Sequence, residues 1–132
     1  MVAADDRTAI TFSLSPGQAG DAPEGRRLLN TLKNCGWEGT HVLMDKAYEG
    51  DETRQLILDL GMFPVVPPKV NRITPWEYDR QMYKRRNEVE RLFRRLKGFR
   101  RIFSRFDKLD ILFKFFINFS LIADRLICVD RP

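Results

Sequence analysis

His41-Val42-Leu43-Met44 is a short apolar run that stops abruptly at Asp45. Unbroken apolar character suits a strand covered on both faces, as in a parallel sheet. A carboxylate directly after such a strand stands at its carboxyl end, where α/β sheets place their chemistry. Upstream, Ala22 to about Gly36 reads as a helix, with Pro23 in its first turn and Leu28, Leu29 and Leu32 as its apolar face. Downstream, Asp51-Glu52-Thr53 opens a second helix carrying Leu56, Ile57 and Leu60, stopped by Gly61. Asp51 reads there as an N-cap rather than a catalyst. Phe63-Pro64-Val65-Val66 is a further strand, ended by Pro67-Pro68.

At the amino end, residues 1–15 read as the end of one strand, a turn at Asp5-Asp6-Arg7 and a second strand, Ala9 to Leu14, with Ile10, Phe12 and Leu14 alternating. Residues 69–81 are polar and irregular. A long basic helix follows, with an apolar stripe of Val89, Leu92, Phe93 and Leu96, and Gly98 breaks or kinks it. The whole order is strand, strand, helix, strand, helix, strand, helix, helix. That pattern predicts an α/β layered domain.

The chain has 132 residues, 43% of them hydrophobic, which is enough for a core and argues against disorder. Its formal net charge is +5, and the excess is local: Lys84 to Arg105 holds ten Lys or Arg against two Glu. Such clustering points to a polyanion, nucleic acid first. Cys35, Cys128 and His41 could give three zinc ligands at most, at no zinc spacing, so reduced thiols in a cytoplasmic protein are expected. No signal peptide is visible at Met1 to Asp6. Leu109 to Val129 is the most apolar stretch, but Asp110, Lys114, Asn118, Asp124 and Arg125 interrupt it. It reads as a mostly buried helix of a soluble protein, not a membrane span.

Within the basic helix, Tyr83, Arg86, Glu90 and Lys97 are spaced by three, four and seven. On an α-helix these fall within an arc of roughly 60°. One carboxylate is thus flanked by a phenol, a guanidinium and an ammonium, a row suited to a phosphodiester beside a metal ion. A basic amphipathic helix with an incidental glutamate would look the same. Two-metal phosphodiester chemistry needs hard oxygen ligands. A strand-borne Asp45 and a helix-borne Glu90 are of that kind. Phe93, Phe99, Phe103 and Phe106 interleave with arginines, which leaves a weaker RNA-binding reading. Trp76 could stack on an unpaired base or simply pack.

Three segments resemble the DDE transposases of bacterial insertion sequences, in the branch with a Tyr-Arg-Glu-Lys signature. They are Ser13 to Asp21, where Gly20 stands in place of a usual histidine; Met44 to Asp51; and Tyr83 to Lys108. The resemblance implies a ribonuclease H-like catalytic fold, truncated at its amino end, with residues 1–132 forming a partial catalytic domain. It implies metal-binding roles for Asp45 and Glu90, with Mg2+ as the metal and Mn2+ as a substitute. Tyr83, Arg86 and Lys97 would contact phosphates, and Arg94, Arg100 and Arg101 would be further DNA contacts. The implied activity is DNA transposition: hydrolysis at the element's ends, then strand transfer into target DNA. The family's first aspartate lies on a first, central strand upstream of the part resembling residues 1–15. Asp5 and Asp6 sit in a turn and are not expected to replace it. The chain is therefore expected to be either a second reading frame that works with an upstream-frame part of the transposase or a decayed fragment, to act as a dimer on DNA, and to be inactive alone. The other expectation is a non-catalytic, DNA-binding or inhibitory fragment.

Overall fold

The computed structural model of the protein describes residues 1–99 and 108–129, the side chains of 128 and 129 excepted. The chain divides into two compact units, Ser15–Arg86 and the pair Met1–Leu14 with Asn87–Pro132. Both are mixed α/β.

In the Ser15–Arg86 unit, β3 (His41–Leu43) and β4 (Phe63–Val65) form a parallel pair with Val42 opposite Pro64. Met44 N–H extends the ladder by donating to Val65 O at 3.0 Å, and Phe63 N–H donates to Thr40 O at 2.9 Å. Parallel pairing, expected from the unbroken apolar run, requires a crossover. Helix α2 (Asp51–Asp59) supplies it and buries Thr53 and Ile57 completely. The helix ends as its sequence demands. Gly61, at φ +77°, takes the left-handed position, Met62 N–H donates to Ile57 O and Gly61 N–H donates to Leu58 O. That is a Schellman closure, with buried Met62 as its apolar clasp. At the other end the expectation fails by one residue. Gly50 is the N-cap, and Asp51 is the first helical residue, where its charge faces the positive end of the helix dipole.

Helix α1 (Asp21–Asn30) buries Leu28 and Leu29, and Leu32 just beyond it. It stops earlier than Gly36, which sits at φ +79° after a run of turns. With Met44, Met62, Val65 and Val66, these residues make the unit's core. A short helix α3 (Arg80–Tyr83) is capped by Asp79, whose side chain accepts from Met82 N–H. A 3₁₀ turn over Lys84–Arg86 closes the unit.

In the second unit, β1 (Val2–Ala3) and β2 (Ala9–Thr11) pair antiparallel, shorter than the strands expected. Asp5 organises their turn: Oδ1 accepts from Arg7 N–H at 2.8 Å and Oδ2 from the Thr8 hydroxyl at 3.2 Å. Helix α4 (Asn87–Lys97) packs on β1 and on α5 (Asp110–Val129), burying Leu92 and Leu96. It ends before Gly98, as expected.

The strands form two separate two-stranded sheets, one in each unit. Two further expectations are corrected. Phe93 lies on the exposed side of α4, outside the buried stripe. Helix α5 is not mostly buried: Phe113, Ile117 and Ser120 are, but Ile111, Leu112, Phe115, Phe119, Ile122 and Leu126 are exposed. Among the described residues, no helix is long and apolar enough to cross a membrane.

Candidate active site and nucleic-acid interface

Asp45 stands one residue beyond the ladder of β3, at its carboxyl end. It is exposed and caps a 3₁₀ turn over Lys46–Tyr48, its Oδ1 accepting from Ala47 N–H at 2.9 Å. Local sequence explains the geometry: an aspartate leaving a strand can hold the second amide ahead of it and turn the chain. Oδ2 keeps no hydrogen-bond partner among the described residues.

Tyr48 closes that turn and packs on Gly25 of α1. A Cβ placed on Gly25 would lie 2.5 Å from Tyr48 Cε1, so only glycine admits the ring as it stands. Burial pushes the Tyr48 phenol above its ordinary pKa, and the negative charges of Asp21 and Asp45 push it further. A neutral hydroxyl is thus held in the field of Asp45.

Glu49, next in the chain, is buried and tied down. Its Oε1 meets Lys69 Nζ at 3.3 Å and its Oε2 meets Arg72 Nη1 at 3.2 Å. Arg72 also pairs with Asp51, which Arg54 approaches at 3.8 Å. The guanidiniums of Arg54 and Arg72 lie 3.6 and 4.6 Å from the Trp76 ring centroid, and Trp76 Nε1–H donates to Val66 O at 2.8 Å. Trp76 therefore packs; its ring face is taken by Arg54. The sequence reading missed Glu49, Lys69, Arg72 and Tyr48. One signal was present, since a glycine inside a helix marks a close approach.

The Tyr83–Lys97 row is not carried by one uninterrupted α-helix. The 3₁₀ turn at Lys84–Arg86 breaks it. In a 3₁₀ turn, residues three apart eclipse. Arg86 accordingly lies with its guanidinium 5.8 Å from the Tyr83 ring centroid, while Tyr78 meets that ring edge-on at 5.5 Å. Tyr83 and Arg86 are thus brought together. Glu90 and Lys97 share one face of α4, two turns apart, with Glu90 half-buried and Lys97 exposed. Arg94 is exposed on the same helix. Arg100 and Arg101 lie outside the described residues, as do Phe103 and Phe106. Asp45, Tyr83 and Arg86 belong to one unit, Glu90, Arg94 and Lys97 to the other.

The family model of the transposase DDE domain matches residues 1–123. This chain belongs to the DDE transposase family. A Brucella ovis protein that carries the name of a transposase for insertion sequence element IS6501 is 34% identical over 108 residues, covering 80% of this chain and 79% of that one. No solved structure matches the chain.

DDE transposases as a family use divalent metal ions. Asp45 fits such an ion in its chemistry, with a hard oxygen facing solvent and unclaimed by any described group. Glu90 also carries hard carboxylate oxygens, on a half-buried side chain. Glu49 and Asp51 do not fit, because Lys69, Arg72 and Arg54 already neutralise them. Among the described residues, no three His, Cys, Asp or Glu gather into a cage.

Proposed function

We propose that this transposase chain supplies part of a catalytic centre for cutting and joining DNA at the ends of an insertion sequence. Asp45 carries the proposal: a strand-end carboxylate with one oxygen turned to solvent, in a chain whose family match spans 1–123. Asp45 and Glu90 would hold Mg2+, or Mn2+ in its place. The metal, when bound, would activate the attacking oxygen of water or of a 3′-hydroxyl and stabilise the charge on the leaving oxygen. Arg86 and Lys97 would neutralise phosphates, and Tyr83 would donate a phenolic hydrogen bond beside Arg86. The domain would be ribonuclease H-like. Asp5 is engaged by Arg7 and Thr8, which argues against a metal-ligand role for it.

The test is metal-dependent cleavage of the element's end, by this chain alone and joined to its upstream reading frame. The joined protein should cut with Mg2+ or Mn2+, and Asp45→Asn or Glu90→Gln should abolish cutting while DNA binding survives. Equal cutting by either variant would overturn the assignment. DNA that is bound but never cut would favour the non-catalytic, inhibitory reading.

A further inference from the structure

The Arg54 guanidinium makes no hydrogen bond to any described residue. Its Nη1 lies 3.8 Å from Asp51 Oδ1, too far for one, and its Nε is buried without an acceptor. What holds it is the Trp76 ring, whose centroid is 3.6 Å from the guanidinium carbon. That ring is itself fixed by the bond from Nε1–H to Val66 O. Arg72 lies against the same ring at 4.6 Å, and its Nε is likewise buried without an acceptor. Buried donors are almost always satisfied, so two orphans on guanidiniums sharing one ring call for an explanation.

Charge indicates what the pair can take. Arg54, Arg72 and Lys69 are opposed here by Glu49 and Asp51, which leaves one positive charge in excess. The two carboxylates differ. Glu49 is buried and anchors Lys69 and Arg72, whereas the Asp51 side chain is 76% exposed. One Asp51 oxygen, Oδ1, meets both guanidiniums: Arg72 Nη2 donates to it, and Arg54 Nη1 is in ion-pair range. An exposed ion pair of this kind is weak and is readily exchanged. A phosphodiester carries the same charge on two oxygens, and planar guanidiniums are suited to phosphate oxygens. Stacking on Trp76 already restrains both side chains, so little rotamer freedom remains to be lost on binding.

We propose that Arg54 and Arg72, braced on Trp76, form a phosphodiester site separate from the Tyr83–Lys97 row, and that Asp51 occupies it until a DNA phosphate displaces the carboxylate. The inference rests on the reading that this chain engages DNA, and adds a carboxylate that works against binding.

The test is binding of a duplex carrying the element's end to the full chain, read by anisotropy across a salt series. Asp51→Asn should tighten binding about two- to fivefold, because the phosphate no longer has an ion pair to break. Glu52→Gln removes the same charge from the next residue, 80% exposed and paired with Arg26, and should change affinity far less. Arg54→Gln should weaken binding about tenfold at low salt, lower the salt slope by about one, and abolish most of the gain from Asp51→Asn. Thermal melts report whether each variant is folded. Affinity that Asp51→Asn leaves unchanged, or that Glu52→Gln raises as much, overturns the site and leaves the DNA reading intact. Absence of DNA binding by every protein in the set overturns both. Inorganic phosphate that raises the melting temperature through Arg54, with no effect of Asp51→Asn on DNA, would assign the pair to a free anion and overturn the proposal.

Discussion

Arg95 grips Asp124 at two points, Nε donating to Oδ2 at 2.9 Å and Nη2 to Oδ1 at 3.0 Å. The pair fastens the helix bearing Glu90 and Lys97 to α5, beside the buried Leu92 and Leu96. Both side chains are partly open to solvent, which discounts their attraction. Asp124→Asn keeps the shape and removes the charge, and should cost about 1–2 kcal/mol of unfolding free energy. Urea denaturation measures this, and a cycle with Arg95→Met isolates the coupling. A loss under about 0.3 kcal/mol would mean that apolar packing alone joins the helices.

Glu49 gives the pH dependence a definite sign. Burial by itself raises its pKa, but the Lys69 N–H and ammonium and the Arg72 guanidinium outweigh that and hold it below the ordinary glutamate value. The unfolded chain therefore takes up this proton first as pH falls. The stabilisation is complete above the unfolded pKa, about 4.3, and is lost as pH drops through the lower folded value. Glu49→Gln should remove about 2 kcal/mol at neutral pH and flatten the acid limb of the stability curve. Thermal melts from acid to neutral pH read both, and an unchanged acid limb would sink the claim.

Gly25 and Tyr48 should show opposite-signed coupling. In the native chain a Gly25→Ala methyl collides with the Tyr48 ring, so the helix propensity gain of about 1 kcal/mol is offset or reversed. In a Tyr48→Ala background the collision is gone, and the same change should stabilise by most of that amount. Denaturation midpoints of the four proteins settle it. Equal effects in both backgrounds would show that the ring moves aside freely.

For DNA binding, Arg94→Ala and Lys97→Ala should each weaken affinity alike for all sequences. Each should also lower the slope of log affinity against log salt by about one. Filter binding or anisotropy across a salt series measures it. A slope unchanged by either substitution would remove α4 from the phosphate interface.

How much of this was legible depended on how local each cause is. The stop at Asp45 is written in three apolar residues after His41 and one acid, and the parallel pair followed. The end of α2 is equally local, because only glycine accepts φ +77° cheaply and Gly61 is there. The N-cap slipped from Asp51 to Gly50 because residue preference ranks aspartate higher without fixing the backbone. The 3₁₀ turn at Lys84–Arg86 left no mark, since 3₁₀ and α turns differ in hydrogen-bond register more than in composition. Strand pairing across distant segments is non-local, so the two sheets could not be told from one. The open side of α5 was hidden for a related reason: leucine and phenylalanine on a helix read alike whether covered or bare.

The bond from Trp76 to the Val66 carbonyl closes Pro67–Pro75 into a loop with its ends pinned together. Of its two basic residues, Arg72 is drawn inward onto Glu49 and Asp51, whereas Lys69 reaches Glu49 with a side chain that stays exposed, and Val70 and Ile73 point almost wholly outward. A protease that cuts after lysine or arginine must place that side chain in its own pocket. Here Arg72 is already spoken for, so within the stretch that reads as the most open in the chain trypsin is left with Lys69.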